Sequence, residues 1–224
     1  ISIGTVTLTA TSAGDTNYNV ATTSQLITIG KTTPVLTITS ANTVNVDGTL
    51  TATVTTTATN GRGGAFTYAI AAGSGSATIN ASTGLITGIS IGTVTLTVTS
   101  AGDTNYNVST TSQLITIGKT TPVLTSTSAN TVNVDGTLTA TVSTTATNGR
   151  GGAFTYAFVA GSGSATINSS TGLITGISIG TVTLTVTSAG DTNYNVASTS
   201  QLITIGKTTP VLTITSANTL NVDG

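Results

Sequence analysis

The chain has no cysteine, histidine, methionine or tryptophan, and its six acidic residues are all aspartate. Without thiols there is no disulfide and no thiolate nucleophile or metal ligand. Without histidine or glutamate, the usual general base and half of the carboxylate options are missing as well. Charge is scarce: five basic against six acidic residues give a net charge of -1, and 5% of residues are charged, against roughly a quarter in an ordinary soluble domain. That balance supplies no electrostatic footprint for nucleic acid or for an anionic membrane surface. Long apolar runs are absent too, because apolar residues alternate with threonine and no run approaches the roughly 18 residues that a spanning helix needs. The missing methionine leaves no initiator, so the chain is expected to be a window from a longer protein, in which the lack of a visible leader carries no information.

What remains is rich in threonine, valine and isoleucine, the composition of β-strands rather than of disorder. It is also repetitive. "ISIGTVTLT" begins at Ile1, Ile89 and Ile177, "GKTTPVLT" at Gly30, Gly118 and Gly206, and "SAGDTNYN" at Ser12, Ser100 and Ser188. Every spacing is 88 residues. Residues 1–88 and 89–176 differ at seven positions: Ala10/Val98, Ala21/Ser109, Ile38/Ser126, Thr55/Ser143, Ile70/Phe158, Ala71/Val159 and Ala81/Ser169. Solenoid units of about 20–50 residues cannot bury a core alone, whereas 88 residues suffice for an independent domain. The three prolines all stand in "KTTP", where the missing amide donor and the restricted preceding residue favour a boundary. The expected organisation is the C-terminal part of a preceding repeat at 1–30, complete repeats at 31–118 and 119–206, and the start of a following repeat at 207–224.

Period-2 alternation places seven short strands in each repeat. In the first they are A at Pro34–Thr39 with a continuation at Thr43–Val46, B at Thr49–Thr57, C at Ala65–Ala71, D at Ala77–Asn80, E at Gly84–Thr87, F at Thr93–Ser100 and G at Thr111–Ile117. Leu50, Ala52 and Val54 share a face, as do Phe66, Tyr68 and Ile70, and Val94, Leu96 and Val98 point inward. Glycine-rich and asparagine-rich turns separate them. The fold class is therefore all-β, a tandem of seven-stranded sandwiches.

The stretches "VNVDGTLTATV", "FTYAI" and "ATINASTGLITGISIGTVTLTVTS" resemble the bacterial immunoglobulin-like domain, group 2, found in invasin- and intimin-type surface proteins. "STGLITG" leading through an apolar corner into "GTVTLTVT" is the most specific part. The chain departs from that pattern in having Tyr68 and Tyr156 where the family commonly places a strand-C tryptophan, and in lacking the cysteine pair of antibody domains. The resemblance implies an extracellular bacterial cell-surface protein, a secreted stalk that projects an adhesive or motility element. The threonine-rich, charge-poor style is similar to long adhesins of gliding bacteria.

Candidate chemistry is thin. Asp103 and Asn105 have the one-residue spacing of oxygen ligands in calcium loops, but the turn offers one carboxylate where calcium takes 6–8 oxygens. The alternative is a turn in which Gly102 takes an unusual backbone angle, the Asp and Asn side chains bond nearby amides, and Tyr106 lays its ring over the end of the sandwich. "NGRGG" at Asn60–Gly64 precedes a strand instead of a helix, so it reads as a turn and not a phosphate loop. A Ser40–Lys31 dyad, and an isopeptide bond from Lys119, both require burial that a linker lysine is not expected to have. No catalytic residue, metal ligand or cofactor is expected, and the chain is not expected to be an enzyme.

Strand parity carries a further expectation. It brings Asp47, Lys119, Arg150 and Asp191 to one junction between repeats, a neutral cluster that limits bending, although exposed pairs of this kind contribute only about 0–1 kcal/mol each. The partners expected are neighbouring identical repeats in the same chain, other filaments, or a host or substratum surface, with no nucleic acid and no membrane span in this segment. The competing function is a ligand-binding module, in which threonine-rich strand faces or loops engage glycan, ice or a cell surface.

Overall fold

A computed structural model describes residues 2–59, 63–149, 151–216, 218, 219 and 222. All regular structure in them is strand, and no helix among the described residues is long and apolar enough to cross a membrane. The chain divides into two compact units, one formed by Ile1–Thr120 with Thr192–Tyr194, the other by Thr121–Asp191 with Asn195–Gly224.

The first unit opens with the hairpin of β1 (Gly4–Ser12) and β2 (Ala21–Ile29). Nine strands follow: β3 (Leu36–Ile38), β4 (Thr43–Asn45), β5 (Thr49–Thr51), β6 (Val54–Thr56), β7 (Phe66–Ala72), β8 (Ser76–Ile79), β9 (Leu85–Ser90), β10 (Gly92–Ser100) and β11 (Ser109–Gly118). One sheet has the order β4-β11-β10-β7; the other strands form β5-β9-β8 and the pair β3-β6. The long central strand β10 alternates strictly: Val94, Leu96 and Val98 are fully buried while the threonines between them are half-buried.

The second unit repeats this arrangement with β12 (Leu124–Ser126), β13 (Thr131–Asn133), β14 (Thr137–Thr139), β15 (Val142–Thr144), β16 (Phe154–Ala160), β17 (Ser164–Ile167), β18 (Leu173–Ser178), β19 (Gly180–Ser188) and β20 (Ala197–Gly206). Its core joins Val132, Val182, Leu184, Val186, Ile203 and Ile205 from one sheet to Ala140 and Ile174 from the other. Burial of each such branched side chain is worth about 1.5–3 kcal/mol. Tyr156 packs against this cluster, so an aromatic fills the strand-C position as expected. Its ring and Gly172 are in such close contact that a Cβ on that glycine would lie 3.2 Å from the ring.

Three details differ from the expected strands. Strand B is broken in two: β5 pairs with β9, whereas β6 pairs with β3, because Ala52 donates to Gly84 and Thr53 accepts from Thr39. Strand E runs on through Ser90, which leaves only Ile91 between β9 and β10. The strands are also not all antiparallel, since β4 lies parallel to β11. After β3 the chain crosses to the other sheet without reversing, and so meets its last strand in the same direction.

Candidate functional site

Each "SAGDTNYN" segment joins the two strands of its hairpin, and in the first two copies the turn is closed by its own aspartate. In the first copy Asp15 Oδ1 accepts from the amides of Asn17 at 2.7 Å and Tyr18 at 2.9 Å, and the Asp15 amide donates to the Tyr18 carbonyl at 2.8 Å. In the second, Asp103 Oδ1 accepts from Asn105 at 2.7 Å and Tyr106 at 2.9 Å, and the Asp103 amide donates to Tyr106 at 3.1 Å. Gly14, Gly102 and Gly190 take φ of 71–73°, a left-handed value that suits glycine. One Asp oxygen is thus committed to two backbone amides, the arrangement of an Asx turn rather than an ion cage. Among the described residues no group of three or more acidic, histidine or cysteine side chains could hold a metal.

The linker runs beside this turn. Thr32 donates to the Asn105 carbonyl and accepts from the Asn107 amide, Lys31 Nζ donates to the Asp103 carbonyl at 2.7 Å, and Asn107 Nδ2 donates to Thr33 Oγ1 at 3.1 Å. Tyr106 is buried, and its hydroxyl accepts from the Thr59 amide at 3.0 Å. Behind it, Gly64 lies so close to Gly102 that a Cβ there would come within 2.1 Å of the Gly102 carbonyl oxygen. The buried Ser100 hydroxyl donates to the Gly63 carbonyl. This close approach is the physical reason for paired glycines in "NGRGG".

The second feature is the "VDG" turn. The Gly48 amide donates to the Asn45 carbonyl at 2.9 Å, with Asp47 at φ 61° between them. A non-glycine residue there costs about 1 kcal/mol, and the turn is held in place by the Asp47 amide on the Gly88 carbonyl. Within the same compact unit, Tyr194 is fully buried and its hydroxyl donates to the Asp47 carboxylate. Asn193 reads the corner between β9 and β10: Oδ1 accepts from the Ile91 amide at 3.2 Å, and Nδ2 donates to the Ile89 carbonyl at 3.4 Å. Asn105 repeats part of this, accepting from the Ile3 amide at 3.3 Å. The Thr120 hydroxyl donates to the Val46 carbonyl, and in the second unit Thr208 does the same to Val134.

Of the four charged residues singled out in the sequence, Asp47 sits in this strained turn with Tyr194 on its carboxylate. Lys119 follows β11 in the linker, and Asp191 opens the third turn; both are engaged with other residues. Arg150 lies outside the described residues, as do Asn60, Gly61 and Arg62 of "NGRGG". Tyr194 is a partner of Asp47 that the sequence did not point to. The available signal was the strict 88-residue co-occurrence of one tyrosine and one "VDG" aspartate. Burial of Tyr106 and Tyr194 also removes these two rings as stacking platforms for a glycan.

The profile of the bacterial Ig-like domain (group 2) matches residues 31–112 and again 119–200. No curated protein matches the chain. A C-terminal 282-residue fragment of intimin, solved in complex with the intimin-binding domain of the translocated intimin receptor, is 17% identical with a TM-score of 0.31, over 76% of this chain and 64% of that one. The chain thus spans about two thirds or less of the length of that fragment. Fibronectin(III)-like modules of Clostridium thermocellum CbhA are 13% identical with a TM-score of 0.30, over 77% of this chain and 95% of that one. Immunoglobulin domains 1–5 of Sidekick-1 are 16% identical with a TM-score of 0.35, over 92% of this chain and 46% of that one.

Proposed function

Because the chain belongs to the bacterial Ig-like domain (group 2) family, we propose that it is a stalk segment of a secreted bacterial cell-surface adhesin, built from complete repeats at 31–118 and 119–206 and projecting an adhesive or motility element. Its work is mechanical, and no reaction is assigned to it. The observation that carries this reading is the set of bonds made by Asn193 and Tyr194, which tie the tip of one repeat's turn into the compact unit of Ile1–Thr120. Bonds of this kind pin the turn in place, as a Gly/Ser string would not. In the same reading Asp47, Lys119, Arg150 and Asp191 restrain bending where one repeat follows another.

The test is immunogold labelling of intact producing cells with antibody against this chain. Label standing off the envelope, at a distance that shortens when one 88-residue repeat is deleted, is the expected result. Label that appears only after permeabilisation contradicts the proposal.

A further inference from the structure

In the second repeat the loop between β15 and β16 is fastened at both ends and open in the middle. On the β15 side the Ala146 amide donates to Thr144 Oγ1 at 3.2 Å. On the β16 side the Ser188 hydroxyl donates to the Gly151 carbonyl, and Gly152 lies against Gly190. Between these anchors stand Asn148, half-buried, and Gly149, exposed, both outside any strand. Gly149 has φ of 119°, and no hydrogen bond among the described residues holds its N–H. The other described glycines that follow an aspartate or asparagine are different. The Gly48 amide is committed to the Asn45 carbonyl and the Gly136 amide to the Asn133 carbonyl, each at 2.9 Å. Asn45 and Asn133 are themselves followed by valines whose amides are committed, Val46 to Gly118 and Val134 to Gly206. The dipeptide Asn60–Gly61 repeats Asn148–Gly149 in sequence and lies outside the described residues.

We propose that Asn148 is a modification site, at which the chain deamidates itself through its own Gly149 amide. Asparagine is among the chemically labile side chains, and what governs its loss is whether the next backbone nitrogen can reach the side-chain carbonyl carbon. Glycine offers that nitrogen with no Cβ beside it and with wide backbone freedom. A solvent base takes the Gly149 amide proton, and the nitrogen attacks Asn148 Cγ. The Cγ–Nδ2 bond breaks, ammonia leaves with a proton, and a five-membered cyclic imide remains. Water then adds to either imide carbonyl and reopens the ring, as aspartate or as isoaspartate at position 148. No oxidant, metal or second protein enters the balance. Either product makes the chain one unit more negative than its net charge of -1. The new carboxylate stands in the loop that packs on the Gly190 turn, so it joins Asp191 at the same end of the repeat. The isoaspartate form also lengthens the main chain by one carbon between the two anchors. This proposal goes beyond the stalk reading and does not depend on it.

Incubation of the folded full chain at neutral and at mildly alkaline pH, followed by trypsin and peptide mass spectrometry against an unincubated sample, tests it. Trypsin cuts after Lys31, Arg62, Lys119 and Arg150. The resulting peptides 32–62 and 120–150 differ in mass, because Ile38 and Thr55 of the first stand where the second has Ser126 and Ser143. Peptide 120–150 also carries Asn130 and Asn133 as internal controls. The expected result is conversion of the Asn148 side chain to acid, located by fragmentation, with both aspartate and isoaspartate formed. Conversion is expected to be faster at the higher pH, because the attacking nitrogen must lose its proton, and to precede any loss at Asn130 or Asn133. Asn148→Gln, which would have to close a larger ring, is expected to keep its amide through the same incubation. An Asn148 amide that survives in the folded chain, or that is lost no faster than those of Asn130 and Asn133, overturns the proposal.

Discussion

The hydroxyl of Tyr194 donates to the carboxylate of Asp47, a residue held at φ 61° 147 positions earlier in the chain. An aspartate in the left-handed region is tolerated at a cost, and such strain persists only where the surroundings over-determine it. Here the Asp47 amide on Gly88 and the Gly48 amide on Asn45 fix the turn, and the tyrosine uses the carboxylate that the turn presents. A hydrogen bond to a charged acceptor contributes about 1.5–3 kcal/mol. Tyr194→Phe and Asp47→Asn should therefore each lower the stability of the first unit. A double-mutant cycle in urea should give a coupling of about 1 kcal/mol or more, and purely additive effects would show that the two side chains do not act together.

Gly64 and Gly152 leave no room for a side chain. Both have φ above 90° and both meet a carbonyl oxygen 2.1 Å from where a Cβ would stand, at Gly102 and Gly190 respectively. Gly64→Ala combines left-handed strain with overpacking against backbone, and should destabilise its repeat by about 2–4 kcal/mol. Thermal unfolding checks this against Gly30→Ala, where a Cβ meets nothing within 4 Å and the change should be small.

Asp103 separates a turn-closing role from an ion-binding one. Asparagine keeps an oxygen at Oδ1 to accept from the Asn105 and Tyr106 amides, so Asp103→Asn should be nearly silent. Asp103→Ala loses both bonds and should cost about 1–2 kcal/mol. Calcium titration followed by calorimetry should show no difference between wild type and the asparagine variant.

One of the seven differences between the repeats changes a buried polar contact. In the second repeat the Ser126 hydroxyl donates to Gln201 Oε1, while Gln201 Nε2 donates to the Ser128 carbonyl at 3.0 Å. In the first repeat Ile38 stands in place of Ser126, and Gln113 Oε1 is buried with no hydrogen-bond partner. Ser126→Ala should recreate that unsatisfied acceptor and cost about 1 kcal/mol, measured as a shift in the urea midpoint with unchanged slope.

Much of the sandwich was legible because alternation is a local signal. Val94, Leu96 and Val98 announce a buried face without reference to anything distant, and the fully buried row in β10 follows from it. The break in strand B was not legible. Leu50, Ala52 and Val54 keep the alternation while the chain changes partners at Ala52, from β9 to β3. The turn chemistry of "SAGDTNYN" could be read from residue types, since Asp and Asn bond nearby amides wherever they occur. The contact between Gly64 and Gly102, and the meeting of Tyr194 with Asp47, depend on which ends of which strands come together. Opposite charges suggest pairs in a sequence, whereas a neutral phenol gives no such signal.

The central claim is that the Asp-Thr-Asn-Tyr turns close on their own side chains without a metal ion. Small-angle scattering of the full chain, first in calcium and then in chelator, tests it most directly. The account predicts superimposable profiles and one maximum dimension in both buffers. A profile that collapses on chelation and recovers when calcium is restored would contradict it, and would make Asp15, Asp103 and Asp191 ion ligands.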